Sequence, residues 1–230
     1  MSFLQEEDGR ILADQLFKIG AVKFGEFRLK LHETRPSAPL SPIYFNLRTT
    51  SNPKPGPLDR WTLKMIAVGF GLLMEKRELR FDALSGIPNA GEPLVSAYAH
   101  SHPHRIIRLR KTETGEKRHV SGTYIQDLPP FHSRVLLVDD VITGADTKLE
   151  AIDALRTVGM IVEDLLVVID RQQGGVDQVR KVGVRTHSLF SVRTLVLYYL
   201  TANLIDQATY DRTIAYFQNE THPEVIVHSL

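Results

Sequence analysis

Residues 161–170, IVEDLLVVID, end in an almost unbroken aliphatic run, and residues 134–140, RVLLVDD, repeat the pattern with Val135 to Val138. A strand apolar at consecutive positions hides both of its faces, which is the habit of parallel sheets covered by helices on each side. The surrounding sequence supplies the alternation such a sheet needs. From Phe81 onward, FDALS, RIIRLR, RVLLVDD, IVEDLLVVID and VRTHSLF read as strands. EPLVSAYAHS, and the segment carrying Leu149, Ile152 and Leu155 on one face, read as helices between them. The expected fold is therefore α/β, a parallel sheet flanked by helices. In such sheets ligands bind where connecting loops gather at the carboxyl ends of the strands.

The first 57 residues read differently. GRILADQLFKI places Ile11, Leu12, Leu16 and Phe17 at helical spacing, and FGEFRLKLHE alternates Phe27, Leu29 and Leu31 as a strand would. Thr34 to Pro42 reads as a loop, IYFNLR as a second short strand, and SNPKPGP as a break. LDRWTLKMIAVGFGLLMEKREL then predicts a long helix capped by Asp59, with Trp61, Met65, Val68 and Leu72 on one face. Residues 191–218 predict two amphipathic helices joined near Asn203 to Asp206. One domain over 1–230 is expected, with 1–57 a small N-terminal region and 58–230 the core and C-terminal helices.

Composition narrows the partners. A net charge of +1 argues against a protein that coats nucleic acid or an anionic membrane, so any positive field must be local. With no cysteine, thiolate metal sites, disulfides and cysteine nucleophiles are all excluded. No window approaches the ~18 consecutive apolar residues of a spanning helix, and MSFLQEEDGR lacks the layout of a secretory signal. A cytoplasmic protein without nucleic-acid or membrane partners is expected. HSHPH, with His100, His102 and His104, reads as an exposed cluster at a helix end rather than a metal site.

The chemistry concentrates in RVLLVDDVITGADT. Asp139 and Asp140 leave the sheet at the carboxyl end of a central strand, and the turn Thr143, Gly144, Ala145, Asp146, Thr147 opens a helix directly behind. Successive backbone N–H groups, two hydroxyls and a helix N-terminus form an anion cradle suited to phosphate. Two carboxylates would repel a polyphosphate unless they face hydrogen-bond donors, and a vicinal ribose diol provides them. The constellation points to a sugar phosphate.

This stretch resembles the phosphoribosyl pyrophosphate signature of type I phosphoribosyltransferases, and its flanks resemble orotate phosphoribosyltransferase. The likeness extends to GAVKFGEFRLK, SPIYFNLR, GIPNAGEPLVSAYA, VIDRQQGG and YYLTANLIDQATY, from about Gly20 to about Tyr216. It implies a type I phosphoribosyltransferase-like sheet with a small N-terminal hood that binds the base. It also implies the transfer of a phosphoribosyl group to orotate, giving orotidine 5′-monophosphate and pyrophosphate in pyrimidine biosynthesis. Mg²⁺ is the implied cofactor, held mainly by the substrate, and a homodimer the implied assembly. By the same resemblance Asp139 and Asp140 hold the ribose hydroxyls and Thr143 to Thr147 the 5′-phosphate. Lys30, Tyr44, Phe45, Thr143 and Arg171 surround the base, and Arg110 and Lys111 serve the pyrophosphate, with Lys117 a candidate for a further catalytic cation. RLRKTETGEKRHVSG keeps Arg110 and Lys111 but has Glu113 and Thr114 near where further cations belong, leaving Lys117, Arg118 or His119 to replace them. The chain leaves no room for a decarboxylase domain, so a single activity is expected. Two alternatives remain open: a phosphoribosyl-pyrophosphate-binding regulator with little turnover, and transfer to another base.

Overall fold

A short 3-10 turn (Phe3–Gln5) leads into α1 (Glu7–Lys18), after which β1 (Val22–Phe27) and β2 (Ser41–Phe45) pair antiparallel around the helical turn α2 (Leu31–Thr34). α3 (Arg60–Lys76), β3 (Ala83–Gly86), α4 (Gly91–Ser101) and β4 (Arg105–Arg108) follow, then an antiparallel hairpin of β5 (Arg110–Thr114) and β6 (Lys117–Ser121). β7 (Arg134–Ile142), α5 (Asp146–Thr157), β8 (Ile161–Asp170), α6 (Gly175–Lys181) and β9 (Arg185–Ser191) alternate before α7 (Val192–Thr201) and α8 (Gln207–Glu220) close the chain. This computed structural model describes residues 3–29, 31–114, 117–121 and 129–220, with backbone alone at 31, 34, 111–114, 117–121, 219 and 220.

The expected parallel sheet is present, five strands in the order β4-β3-β7-β8-β9. The two aliphatic strands are adjacent near its centre because only there are both faces covered. Leu136, Val138, Leu166 and Val168 join a core with α1, α3 and α7. Val135, Leu137, Leu165 and Val167 join a second core with Ala151, Ile152 and Leu155 of α5 and Val179 of α6. Each of these fully buried aliphatic side chains contributes roughly 1.5–3 kcal/mol. At the amino end, Asp164 anchors the outer strand β9 by accepting from Arg185 Nε and Nη2 at 2.9 and 2.8 Å, with His187 Nε2 at 2.7 Å.

Four local readings change. β1 stops at Phe27, because the buried His32 draws the chain round: its Nδ1 accepts from Leu29 N at 2.9 Å, and its Nε2 lies 3.1 Å from Ala38 O. α3 is capped as expected, Asp59 Oδ1 accepting from Thr62 N at 2.7 Å, yet its stripe of Trp61, Val68 and Leu72 faces outward. The core side is instead Ile66, Phe70, Leu73 and Met74, since the helix is apolar on two faces and spacing alone does not choose between them. The stretch after RIIRLR, to which the sequence assigned no element, forms the β5–β6 hairpin, and α6 likewise fills a stretch assigned none.

The turn after β3 sits hard against β7. Ile87 N donates to Val138 O at 2.8 Å, and Gly91 N to Ile87 O at 2.8 Å. A Cβ on Gly91 would collide with the Val138 carbonyl oxygen, and one on Gly86 would stand 2.6 Å from Glu92 N. Gly91→Ala is therefore expected to lower the urea-unfolding midpoint by an amount equivalent to about 1–3 kcal/mol, the usual range for overpacking.

Candidate active site

The two aspartates lie within the ladder of β7, which runs on to Ile142, rather than beyond its end. Adjacent residues of a strand point to opposite faces, and the pair divides accordingly. Asp139 is 4% exposed and faces α5, where Lys148, 7% exposed, meets its Oδ2 at 2.5 Å and also donates to Val141 O at 2.8 Å. Burial opposes the Lys148 charge, but Asp139 and Asp140 outweigh it and raise its pKa. Asp140 is half-buried and accepts from Val141 N at 2.7 Å. Burial first, and then the Asp139 charge, push its carboxyl up to about 7, against the opposing pull of Lys148 and Arg48.

The following turn is buttressed from α6. Gly175 N donates to Thr143 O at 3.0 Å, an approach that a Cβ, 2.6 Å from the same oxygen, would prevent. Ala145 is wholly buried and its N–H is taken by Gln178 Oε1 at 3.2 Å, while Gly144 is exposed with open space beside it. Thr147 is half-buried and Asp146 exposed in the first turn of α5. The positive end of α5 suits an anion, for which the Asp146 carboxylate competes locally.

Beside this turn stands Arg171, 4% exposed, its N–H bound to Ile142 O at 3.0 Å. Its guanidinium donates from Nε to Gln173 Oε1 at 2.7 Å and from Nη2 to Ser41 Oγ at 3.3 Å. The guanidinium carbon lies 5.6 Å from the ring centres of both Phe45 and Phe217. Tyr44, the residue before it on β2, turns the other way and stacks on Phe27 at 5.5 Å and 29°. Phe45 thus joins Arg171, and Tyr44 does not.

Arg110 is exposed at the start of β5. Lys30 lies outside the described residues, as do the side chains of Lys111 and Lys117, whose backbones belong to β5 and β6. The segment after β2 reaches the turn after β3, Asn52 Nδ2 donating to Asn89 O at 3.3 Å. His102 and His104, both exposed, stack on Tyr98 at 4.6 and 5.9 Å, next to the end of α4. Among the described residues no three His, Cys, Asp or Glu side chains gather as a metal site.

Sequence reasoning missed Lys148, Gln178 and Arg48. Lys148 left a readable trace: with Ala151, Ile152 and Leu155 it occupies the apolar face of α5, where a charge demands a partner. Gln178 and Arg48 left none, because α6 and the hood segment reach the site only through the tertiary fold.

Asp140 has a stability cost. Its carboxyl titrates near 3.8 in the unfolded chain and about 7 in the fold, so folding favours the protonated form. The cost is absent below the lower value, grows between the two and is complete above about 7. Asp140→Asn is expected to melt above the parent at alkaline pH, the difference vanishing in acid, as thermal unfolding followed by circular dichroism across that range would show.

No family model matches the chain. The orotate phosphoribosyltransferase of Staphylothermus marinus is 30% identical over 224 residues, covering 96% of this chain and 98% of the relative. That of Cenarchaeum symbiosum is 32% identical over 148 residues, covering 64% of this chain and 66% of the relative. The uridine 5′-monophosphate synthase of Caenorhabditis elegans is 30% identical over 199 residues, 85% of this chain but only 37% of the relative. The chain therefore spans little more than a third of the nematode protein and just under two thirds of the Cenarchaeum one. Among solved structures, Leishmania donovani UMP synthase superposes with a TM-score of 0.73 at 25% identity, over 92% of this chain and 42% of that one. Aeropyrum pernix orotate phosphoribosyltransferase gives 0.66 at 25% identity, over 85% of this chain and 99% of that one. No helix among the described residues is long and apolar enough to cross a membrane. With near full-length likeness to the Staphylothermus protein and the sheet and loops described above, the chain belongs to the orotate phosphoribosyltransferase family.

Proposed function

We propose that this protein transfers the phosphoribosyl group of phosphoribosyl pyrophosphate to orotate, forming orotidine 5′-monophosphate and pyrophosphate in a cytoplasmic route to pyrimidine nucleotides. The observation that carries the reading is the convergence of two unlike subsites on one strand end. Asp140 lies in β7, the turn into α5 follows that strand directly, and Arg171 is tied to the same strand through Ile142 O. An acid next to a helix-terminal anion site suits a ribose diol and its 5′-phosphate, held by Thr143 to Thr147. A planar guanidinium flanked by Phe45 suits a flat base bearing a carboxylate.

Orotate, with Thr143 and Lys30 beside it, attacks the anomeric carbon as the bond to pyrophosphate breaks, through a ribosyl cation-like transition state. The protein acts mainly by holding the two reactants in line and placing charge where charge develops. Arg171 takes the orotate carboxylate by exchanging its Gln173 and Ser41 partners, and Tyr44 stands with Phe27 on the other face of β2. Arg110, Lys111 and Lys117 on the hairpin meet the departing pyrophosphate. Mg²⁺ bound to the substrate's own oxygens would neutralise part of that charge, and the half-buried Asp140 gives those oxygens and the diol a carboxylate neighbour.

We further propose that the chain pairs with a second copy through the outer stripe of α3, where Trp61 is 60% and Val68 46% exposed. Trp61→Glu is then expected to lower the sedimenting mass to that of a monomer.

The activity is tested by mixing the protein with phosphoribosyl pyrophosphate, Mg²⁺ and orotate and following loss of orotate absorbance. Turnover is expected, and Arg171→Lys should raise KM for orotate about tenfold or more while moving that for phosphoribosyl pyrophosphate far less. Binding of phosphoribosyl pyrophosphate without turnover would overturn the reading in favour of a regulator or another acceptor base.

A further inference from the structure

We propose that Lys148 is a positioning residue: it holds Asp139 as an internal counter-ion and leaves Asp140 as the carboxylate presented to the ribose diol. The proposal rests on the reading of this site as a phosphoribosyl pyrophosphate cradle, and assigns different work to the two acids that the sequence presents as equals.

The pair is assembled from two separate elements. Asp139 lies on the face of β7 that packs on α5, and Lys148 lies on the apolar side of α5 among Ala151 and Ile152. Both are nearly out of water, at 4% and 7% exposure. The ammonium bridges Asp139 Oδ2 to the carbonyl of Val141, so it fixes the acid and the backbone on either side of Asp140. Core packing does not call for a lysine here. An aliphatic side chain would fill the same face without desolvating a charge, and buried ion pairs add little over apolar replacements. The pair makes sense if Asp139 is held by Lys148, away from any ligand, while Asp140 is left to face it.

Asp140 then remains as the half-buried acid with access to a ligand. The charged groups acting on it are Asp139 from its own strand, Lys148 from α5 and Arg48 from the segment after β2. Without Lys148, two neighbouring carboxylates would share an environment that does not tolerate both charges. One of them would keep a proton through neutral pH, and a protonated acid is a poorer acceptor for ribose hydroxyls.

The test is calorimetric binding of phosphoribosyl pyrophosphate with Mg²⁺ and no base, between about pH 6 and about pH 9. In the parent, binding is expected to tighten as Asp140 ionises around 7. Lys148→Met should move that limb upward by about one pH unit or more and weaken binding at neutral pH by about tenfold, with recovery in alkali. Combining Lys148→Met with Asp139→Asn, which removes the stranded charge, should return the limb toward its parental position. Lys148→Gln, which keeps a donor for the Val141 carbonyl, gives the same reading should the Met variant fail to fold. An unmoved limb in the single variants overturns the role of Lys148. A double variant that binds more weakly than Lys148→Met also overturns it, by showing that Asp139 itself holds the diol. Absence of binding by the parent overturns the cradle reading and the proposal together.

Discussion

Burial of β7 on both faces is the constraint from which the rest of the structure follows. A central strand with Val135 and Leu137 in one core and Leu136 and Val138 in the other has no freedom of register, since a one-residue slip would exchange its two faces. Its carboxyl end is placed with the same accuracy. The turn after β3 docks on the Val138 carbonyl, α5 starts immediately beyond, and Arg171 is bound to Ile142 O. The turn after β3, the start of α5 and the Arg171 backbone are thus all measured from one rigid strand, the kind of support that precise placement of ligand-binding groups needs.

Charge at that strand end is costly, and the fold meets the cost unequally. Asp139 is compensated outright by Lys148, whereas Asp140 is left half-buried with its proton affinity raised. Retaining a destabilised carboxylate at a functional site is the common compromise between stability and function. Arg171 shows the opposite solution: its guanidinium is shared between side-chain acceptors and packed between Phe45 and Phe217, so one cation ties the end of β8 to the hood and to α8.

Much of the architecture was legible because periodicity reports burial directly. Consecutive aliphatics marked β7 and β8, Asp59 marked the start of α3, and the corner between α7 and α8 fell where expected. The failures share a cause. Trp61, Val68 and Leu72 are as regularly spaced as Ile66, Phe70 and Leu73, so the pattern alone did not say which stripe of α3 is covered. The alternation Phe27, Leu29, Leu31 looked like a continuing strand because the hydrogen bond of His32 to Leu29 N, which ends it, is invisible in hydrophobicity.

The candidate site divides along the same line. Asp139, Asp140 and the turn from Thr143 to Thr147 are contiguous, so local sequence determined their strand–turn–helix setting, and backbone geometry did the rest. Tertiary structure alone decided which acid is paired, that Gln178 occupies the Ala145 N–H, and that Phe45 rather than Tyr44 meets Arg171. Those outcomes, like the Arg171–Ser41 hydrogen bond, depend on groups 9 to 130 positions apart meeting across packed elements. Local pattern carries no information about such distances, whereas the packing of α5, α6 and the hood against one buried sheet settles them.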